Sequence, residues 1–123
     1  MLAGVEAFTL AGESVQVPPE RRLDRLALMA PATDFFRTPG SLQDVRTPIA
    51  VWAGTRDEVT PAATAEWLKE TLRGTVPVDV RIVADAGHFS FMSTPPPHAT
   101  EPLVDRDAFL DRLAQDIVRF VTN

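Results

Sequence analysis

The sequence predicts an α/β protein in which about three parallel strands are flanked by helices. Short apolar runs bounded by proline or glycine are typical of strands covered on both faces. An amphipathic segment separates two such runs, and a second one ends the chain. The 123 residues, 45% hydrophobic and 24% charged, fit one folded domain better than a disordered chain, a collagen-like repeat or a membrane span.

The N-terminal residues carry a weaker signal. Residues 2–11 space their apolar side chains at a helical period, and Gly12 follows as a stop signal, so this stretch predicts a short helix. Residues 13–22 contain Pro18 and Pro19, which a helix cannot pass without losing hydrogen bonds. We therefore expect a surface connection there.

Three runs predict the strands. The runs 26–30 and 48–53 are continuously apolar and end at Pro31 and Gly54, as expected of strands buried on both faces. The third run, 78–83, alternates apolar and polar residues, which indicates a strand with one wet face, nearer an edge of the sheet.

Two helices accompany these strands. Thr60 is predicted to cap a helix that begins at Pro61 and ends at Gly74, with a buried stripe of Ala65, Leu68 and Leu72. The apolar positions of the last helix repeat at three and four residues: Phe109, Leu110, Leu113, Ile117, Phe120 and Val121. Trp52 and Trp67 lie within apolar elements and are expected in the core.

Charge and composition narrow the possible partners. The net charge of −5 has the wrong sign for a protein that grips phosphate backbones, so we expect no nucleic acid as partner. The near-average hydrophobic and charged shares disfavour a membrane span, and we expect no membrane partner. Cysteine is absent, and the two histidines are ten residues apart without metal-ligand spacing, so we expect no metal and no cofactor. The first ten residues lack the basic region of a secretory signal, which favours the cytoplasm.

Chemistry-bearing residues follow two consecutive strands. Asp57 comes just after the second predicted strand and His88 just after the third. Because a strand-helix-strand crossover returns the chain to the same edge of the sheet, Asp57 is placed to orient His88. A carboxylate that fixes a neutral imidazole serves nucleophilic acyl transfer, in which the imidazole takes a proton from a hydroxyl group. We predict Asp57 and His88 as catalytic residues.

At this point the sequence resembles a known family. Residues 46–91 resemble the C-terminal part of an α/β-hydrolase, with the acid loop as GTRDEVTP at 54–61 and the histidine loop as AGHF at 86–89. The phrase GHFSF at 87–91 is most similar to the dienelactone-hydrolase-like branch. The resemblance implies hydrolysis of a small-molecule ester or lactone by a serine or cysteine nucleophile, without a metal.

The same resemblance implies that residues 1–123 are a single C-terminal portion of the family's domain. Residues 4–12 resemble the helix that follows the nucleophile elbow, Gly-x-Ser-x-Gly-Gly, and Met1 falls where the serine would stand. The nucleophile is then missing from this chain. The alternative is a noncatalytic truncated fragment that folds by self-association, as a possible homodimer, because the first parallel strand would lack its earlier neighbour.

Other candidates have weaker support. Ser14 lacks the small residue that an elbow needs, and Ser90 is too close to His88 along the chain for the usual elbow geometry. Asp34, after the first strand, is an alternative acid or a turn residue. The remaining assignments are Ser41 and Ser93 in loops without a motif, Asp85 as a support of the histidine loop, and His98 as a solvated side chain.

Overall fold

The computed structural model describes residues 7–10, 13–16, 18 and 20–123. Its central feature is a parallel sheet of three strands, β3 (Leu26–Met29), β4 (Ile49–Gly54) and β5 (Val78–Val83), in that spatial order. Ile49 of β4 lies between its partners in β3 and β5, and every strand of this sheet runs in the same direction. The predicted α/β class with three parallel strands is confirmed.

Two helices cover the two faces of this sheet. Helix α1 (Ala62–Thr71) connects β4 to β5, and helix α2 (Arg106–Thr122) follows a short 3-10 helix at His88–Phe91. A second 3-10 helix, Thr33–Phe36, follows β3. A crossover helix between two parallel neighbours is the connection that such strands require.

Strand β4 divides its side chains between the two faces, because successive residues of a strand point in opposite directions. Ile49, Val51 and Ala53 pack with α1, and Ala50 and Trp52 pack with α2. All six residues of β4 are buried. The predicted stripe of α1 and the inner face of α2 complete the two cores through these buried side chains: Ala65, Leu68, Leu72, Phe109 and Leu113.

The predicted N-terminal helix is wrong where the structure describes it. Residues Ala7–Leu10 form strand β1, which pairs antiparallel with strand β2 at Glu13–Gln16. The remaining residues of that prediction, 2–6 and 11, lie outside the described residues. The prediction failed because an apolar run this short fits the spacing of a helix and that of a strand. The β-branched and aromatic residues on either side of Gly12 favour a hairpin.

Two details of the helices also differ from the prediction. Pro61 occupies the cap position of α1 without a side-chain cap, and the Thr60 hydroxyl is used elsewhere. Val121 is 46% exposed, because it lies with Val118 on the outer side of α2, whereas Phe120 of the same turn packs on the core. The carboxyl ends of β3, β4 and β5 nevertheless meet at one edge, and the candidate site lies there.

Candidate active site

The end of β4 is tied closely to the histidine loop. Backbone N–H groups of Thr55 and Arg56 donate to the carbonyls of Val83 and Ala86, at 3.1 and 2.9 Å. Gly54 permits this approach, since a Cβ there would lie 2.1 Å from the Ala86 carbonyl oxygen. The acid loop and the histidine loop are therefore held together by backbone before any side chain is considered.

Asp57 is a buried carboxylate whose two oxygens are fully engaged. Its Oδ1 accepts from the backbone N–H groups of Val59 and Thr60, at 2.9 and 2.7 Å. Its Oδ2 lies 2.9 Å from the Thr60 hydroxyl and 2.9 Å from Nδ1 of His88. Burial raises the pKa of Asp57, but the hydrogen bonds from the Thr60 N–H, from His88 and from the Thr60 hydroxyl outweigh it, and the pKa is lowered overall.

His88 opens the 3-10 helix that follows Gly87. An ionised carboxylate can only accept hydrogen bonds, so Nδ1 carries the proton in the contact with Asp57, and the other ring nitrogen, Nε2, is left with its lone pair. The imidazole is 26% exposed, while the side chain of Asp57 is completely covered. The pair thus consists of a buried acid and a histidine that solvent reaches.

A second hydrogen-bond network, built on Ser90 and Glu101, supports the histidine loop. The Ser90 hydroxyl accepts from the Gly87 N–H at 2.9 Å and donates to Glu101 Oε1 at 2.7 Å. The same Glu101 oxygen accepts from the Leu103 N–H at 2.9 Å. The other oxygen lies 3.0 Å from Nε of Arg106, an ion pair without the direction of a hydrogen bond. Ser90 therefore joins the histidine loop to the start of α2.

A cavity of about 450 Å³ lies beside His88. Apolar side chains of Val59, Phe89 and Pro102 form part of its wall, and the Phe89 ring meets the imidazole edge-on at 5.0 Å between centroids. Arg56 is also part of the wall and pairs with Asp85 across 3.1 Å. The cavity is large enough for a small organic molecule next to the base.

The predicted contact between Asp57 and His88 is present at the expected edge of the sheet, and the other candidates lie apart from it. Asp34 is largely exposed and pairs with Arg37 at 2.7 Å, as a turn residue does. Asp85 links the two loops, since its N–H donates to the Thr55 hydroxyl at 2.8 Å. The Ser41 hydroxyl donates to the Phe36 carbonyl. His98 is exposed and Trp52 is buried.

Thr60 is the site residue that sequence reasoning misassigned, because Thr-Pro before an apolar stripe is also a helix-start pattern. The spacing of Asp57 and Thr60 held the missed signal. A short acidic side chain accepts from backbone N–H groups two and three residues later, which places the third residue against the carboxylate. The role of Glu101 had no sequence signal, since it depends on a loop that returns to the histidine.

In the described part of the chain, no group of three or more histidine, cysteine or acidic residues is arranged to hold a metal ion. Within the same residues, neither helix has the length and apolar character needed to cross a membrane.

Fold and site together define an α/β protein with a buried Asp-His pair at the carboxyl edge of its sheet. No family model matches the chain, and no curated protein matches it. Among solved structures, the chain is similar to an alpha-beta serine hydrolase homologue from Coxiella burnetii, at 24% identity over 76% of this chain with a TM-score of 0.44. The chain spans 39% of the length of that structure.

Proposed function

We propose that this chain supplies the acid and the general base of a serine-type hydrolase acting on carboxylic esters or lactones. The observation that carries the proposal is the contact between the buried Asp57 carboxylate and Nδ1 of His88, which leaves Nε2 basic beside an open cavity. The resemblance of the two loops to the dienelactone-hydrolase-like branch narrows the reaction to ester or lactone cleavage.

In this reaction Nε2 of His88 takes the proton of a nucleophilic hydroxyl as the hydroxyl oxygen attacks the ester carbonyl carbon. Asp57 stabilises the imidazolium that forms. The imidazolium then protonates the leaving alcohol, or the ring oxygen of a lactone, as the acyl bond breaks. Water then attacks the acyl-enzyme through the same proton transfers and releases the carboxylic acid product. The hydrolysis therefore balances without an oxidant, a reductant or a metal.

The nucleophile is proposed to lie outside these residues. Ser90 is buried and both donates and accepts in the loop-support network, and the Ser41 hydroxyl is bonded to a carbonyl of its own loop. Thr60 contacts Nδ1, the nitrogen on the acid side. A serine on a Gly-x-Ser-x-Gly turn, encoded immediately upstream, would complete the site.

Expression of the coding sequence together with any in-frame sequence upstream of it tests the proposal. The longer protein should hydrolyse a p-nitrophenyl ester, and His88→Ala should lower kcat by about 10⁴-fold, as expected when a triad member is lost. Asp57→Asn should act in the same direction, with Asp34→Asn as the matched control that keeps full activity. Full turnover in His88→Ala would overturn the proposal.

The 123-residue chain by itself should show negligible esterase activity. An imidazole without a nucleophile or an oxyanion hole lacks the groups that supply most of the rate enhancement. Hydrolysis of p-nitrophenyl acetate by the wild type and by His88→Ala should agree within the free-imidazole background. Saturable turnover that disappears in His88→Ala would place a nucleophile within the chain.

We also propose, for the noncatalytic alternative, that the chain forms a homodimer through β3. Among the described residues β3 pairs with β4 alone. Leu26 and Ala30 direct their N–H groups to the carbonyls of Pro48 and Trp52, so alternation turns the N–H groups of Ala27 and Met29 to the open edge. Such an edge is a template for pairing with a second chain.

Sedimentation at micromolar concentration tests this dimer. Ala27→Pro removes one outward N–H at an edge position and should yield a monomer, whereas Val121→Lys on the exposed side of α2 should leave the dimer intact. A wild-type chain that sediments as a monomer at every concentration would contradict the proposal.

A further inference from the structure

One hydroxyl group touches the ends of all three strands of the sheet. Thr60 Oγ1 lies 3.1 Å from the carbonyl oxygen of Ala30 after β3, 2.9 Å from Asp57 Oδ2 after β4, and 3.1 Å from His88 Nδ1 after β5. Thr60 is itself buried. We propose that Thr60 is a positioning residue that holds the His88 ring and the Asp57 carboxylate in hydrogen-bond contact, an inference that rests on the proposed function.

The count of protons explains this role. Thr60 brings one proton, and the groups around it that can only accept are the Ala30 carbonyl and the Asp57 carboxylate. With a proton on Nδ1, His88 donates to Asp57, and the hydroxyl proton goes to the carbonyl or to the carboxylate. Without that proton, the hydroxyl would have to serve Nδ1, and Asp57 Oδ2 would face lone pairs at 2.9 Å. Asp57 therefore fixes the tautomer, and the Thr60 hydroxyl, which contacts the carboxylate and Nδ1 at once, fixes where these two groups meet.

The backbone of Ala30 supports the same conclusion. Ala30 has a φ of 47°, in the left-handed region that residues with a Cβ rarely occupy. Its N–H still continues the β3 ladder to Trp52 at 2.9 Å, while its carbonyl accepts from Thr60. The carbonyl gives the hydroxyl a second acceptor besides the carboxylate. With its proton on that carbonyl, the Thr60 oxygen can turn a lone pair to the Nδ1 proton, which keeps the ring beside the carboxylate.

Because the Asp57 carboxylate is buried, the hydrogen bond from the Thr60 hydroxyl helps to keep it ionised. The hydrogen bond from Thr60 is one of the contributions that lower the pKa of Asp57 against the effect of burial. The Thr60 hydroxyl does not cap α1, although its sequence position suggests that it would, since α1 has no side-chain cap. Among the described residues, this hydroxyl bonds only to groups that follow the three strands.

Nitrogen-15 NMR of the histidine-labelled chain tests the inference without requiring turnover. Wild type and Thr60→Ser should both show His88 as the Nδ1–H tautomer with a slowly exchanging Nδ1 proton. Thr60→Val, which keeps the shape and removes the hydroxyl, should keep this tautomer, which Asp57 selects, and speed exchange of that proton by about tenfold, the scale of one hydrogen bond. Thr60→Ala gives a second measurement if the valine variant folds poorly.

Thr33→Val is the matched control. Thr33 is another buried threonine whose hydroxyl donates to a backbone carbonyl, that of Thr64 at 3.0 Å, and this hydroxyl is not among the contacts of the pair. Thr33→Val should reduce stability and leave the exchange rate of the Nδ1 proton of His88 unchanged. An unchanged exchange rate in folded Thr60→Val or Thr60→Ala would overturn the inference, as would an equal change in Thr33→Val. Faster exchange of the Nδ1 proton in Thr60→Val with no esterase activity in the longer protein would support Thr60 and count against the proposed function.

Discussion

Strands β3 and β4 are parallel neighbours that are each followed by an aspartate, yet the two acids have opposite surroundings. β4 is paired on both sides and buried throughout, and Asp57 beyond it has no exposed side-chain surface. β3 has one partner among the described residues, and the side chain of Asp34 beyond it is 65% exposed. In this sheet the acid after the doubly paired strand is buried against a base, and the acid after the strand with one described partner is solvated against an arginine.

The close contact at the end of β4 gives the largest expected effect. Gly54→Ala would push a Cβ into the Ala86 carbonyl, and because that atom is backbone the loops must separate. We expect a loss of at least about 3 kcal/mol in the free energy of unfolding, measured with urea. Gly74→Ala is the control: its Cβ meets nothing within 4 Å, and its φ of 79° alone costs about 1 kcal/mol. Equal losses would show that the strand end tolerates separation.

Removal of each acid tests the comparison directly. Asp57→Ala leaves two backbone N–H groups, a hydroxyl and Nδ1 of His88 without their acceptor, and should cost about 3 kcal/mol of unfolding free energy. Asp34→Ala removes an exposed ion pair and should change stability by less than about 0.5 kcal/mol. Similar values from chemical denaturation would mean that the burial of Asp57 contributes nothing.

The smallest effect is the dependence on pH. Because the pKa of Asp57 is lowered in the folded protein, its ionised form adds stability that is fully present above the unfolded value of about 3.9. That contribution is lost as the pH falls through the folded pKa. A carbon-13 titration of the Asp57 carboxyl should therefore have its midpoint below about 3.9. A midpoint above that value would mean that burial outweighs the hydrogen bonds.

The sequence was sufficient for the parallel sheet and for the contact between Asp57 and His88. Both follow from strand ends and from one crossover helix, which are local patterns. It was insufficient for residues 7–10, where a run of four residues fits a helix or a strand equally well and pairing with β2 decides. The role of Thr60 was missed for a related reason. A threonine before a proline can cap a helix or bond to a nearby acid, and contacts with Ala30 and His88, which are distant in sequence, decide between the two.

Asp57 and His88 are 31 residues apart, and the chain between them is β5, α1 and their short connections. For folding kinetics, the contact between Asp57 and His88 closes a loop of modest length, and most of that loop is a helix and a strand. The pair can therefore assemble before α2 docks on the sheet. In genetic terms, one short stretch of coding sequence carries the acid, the base, Thr60 and the structure that aligns them. A recombination event that moves residues 49–91 would move the acid, the base and Thr60 together, but would leave behind the Ala30 carbonyl and Glu101, which bonds Ser90 of the histidine loop.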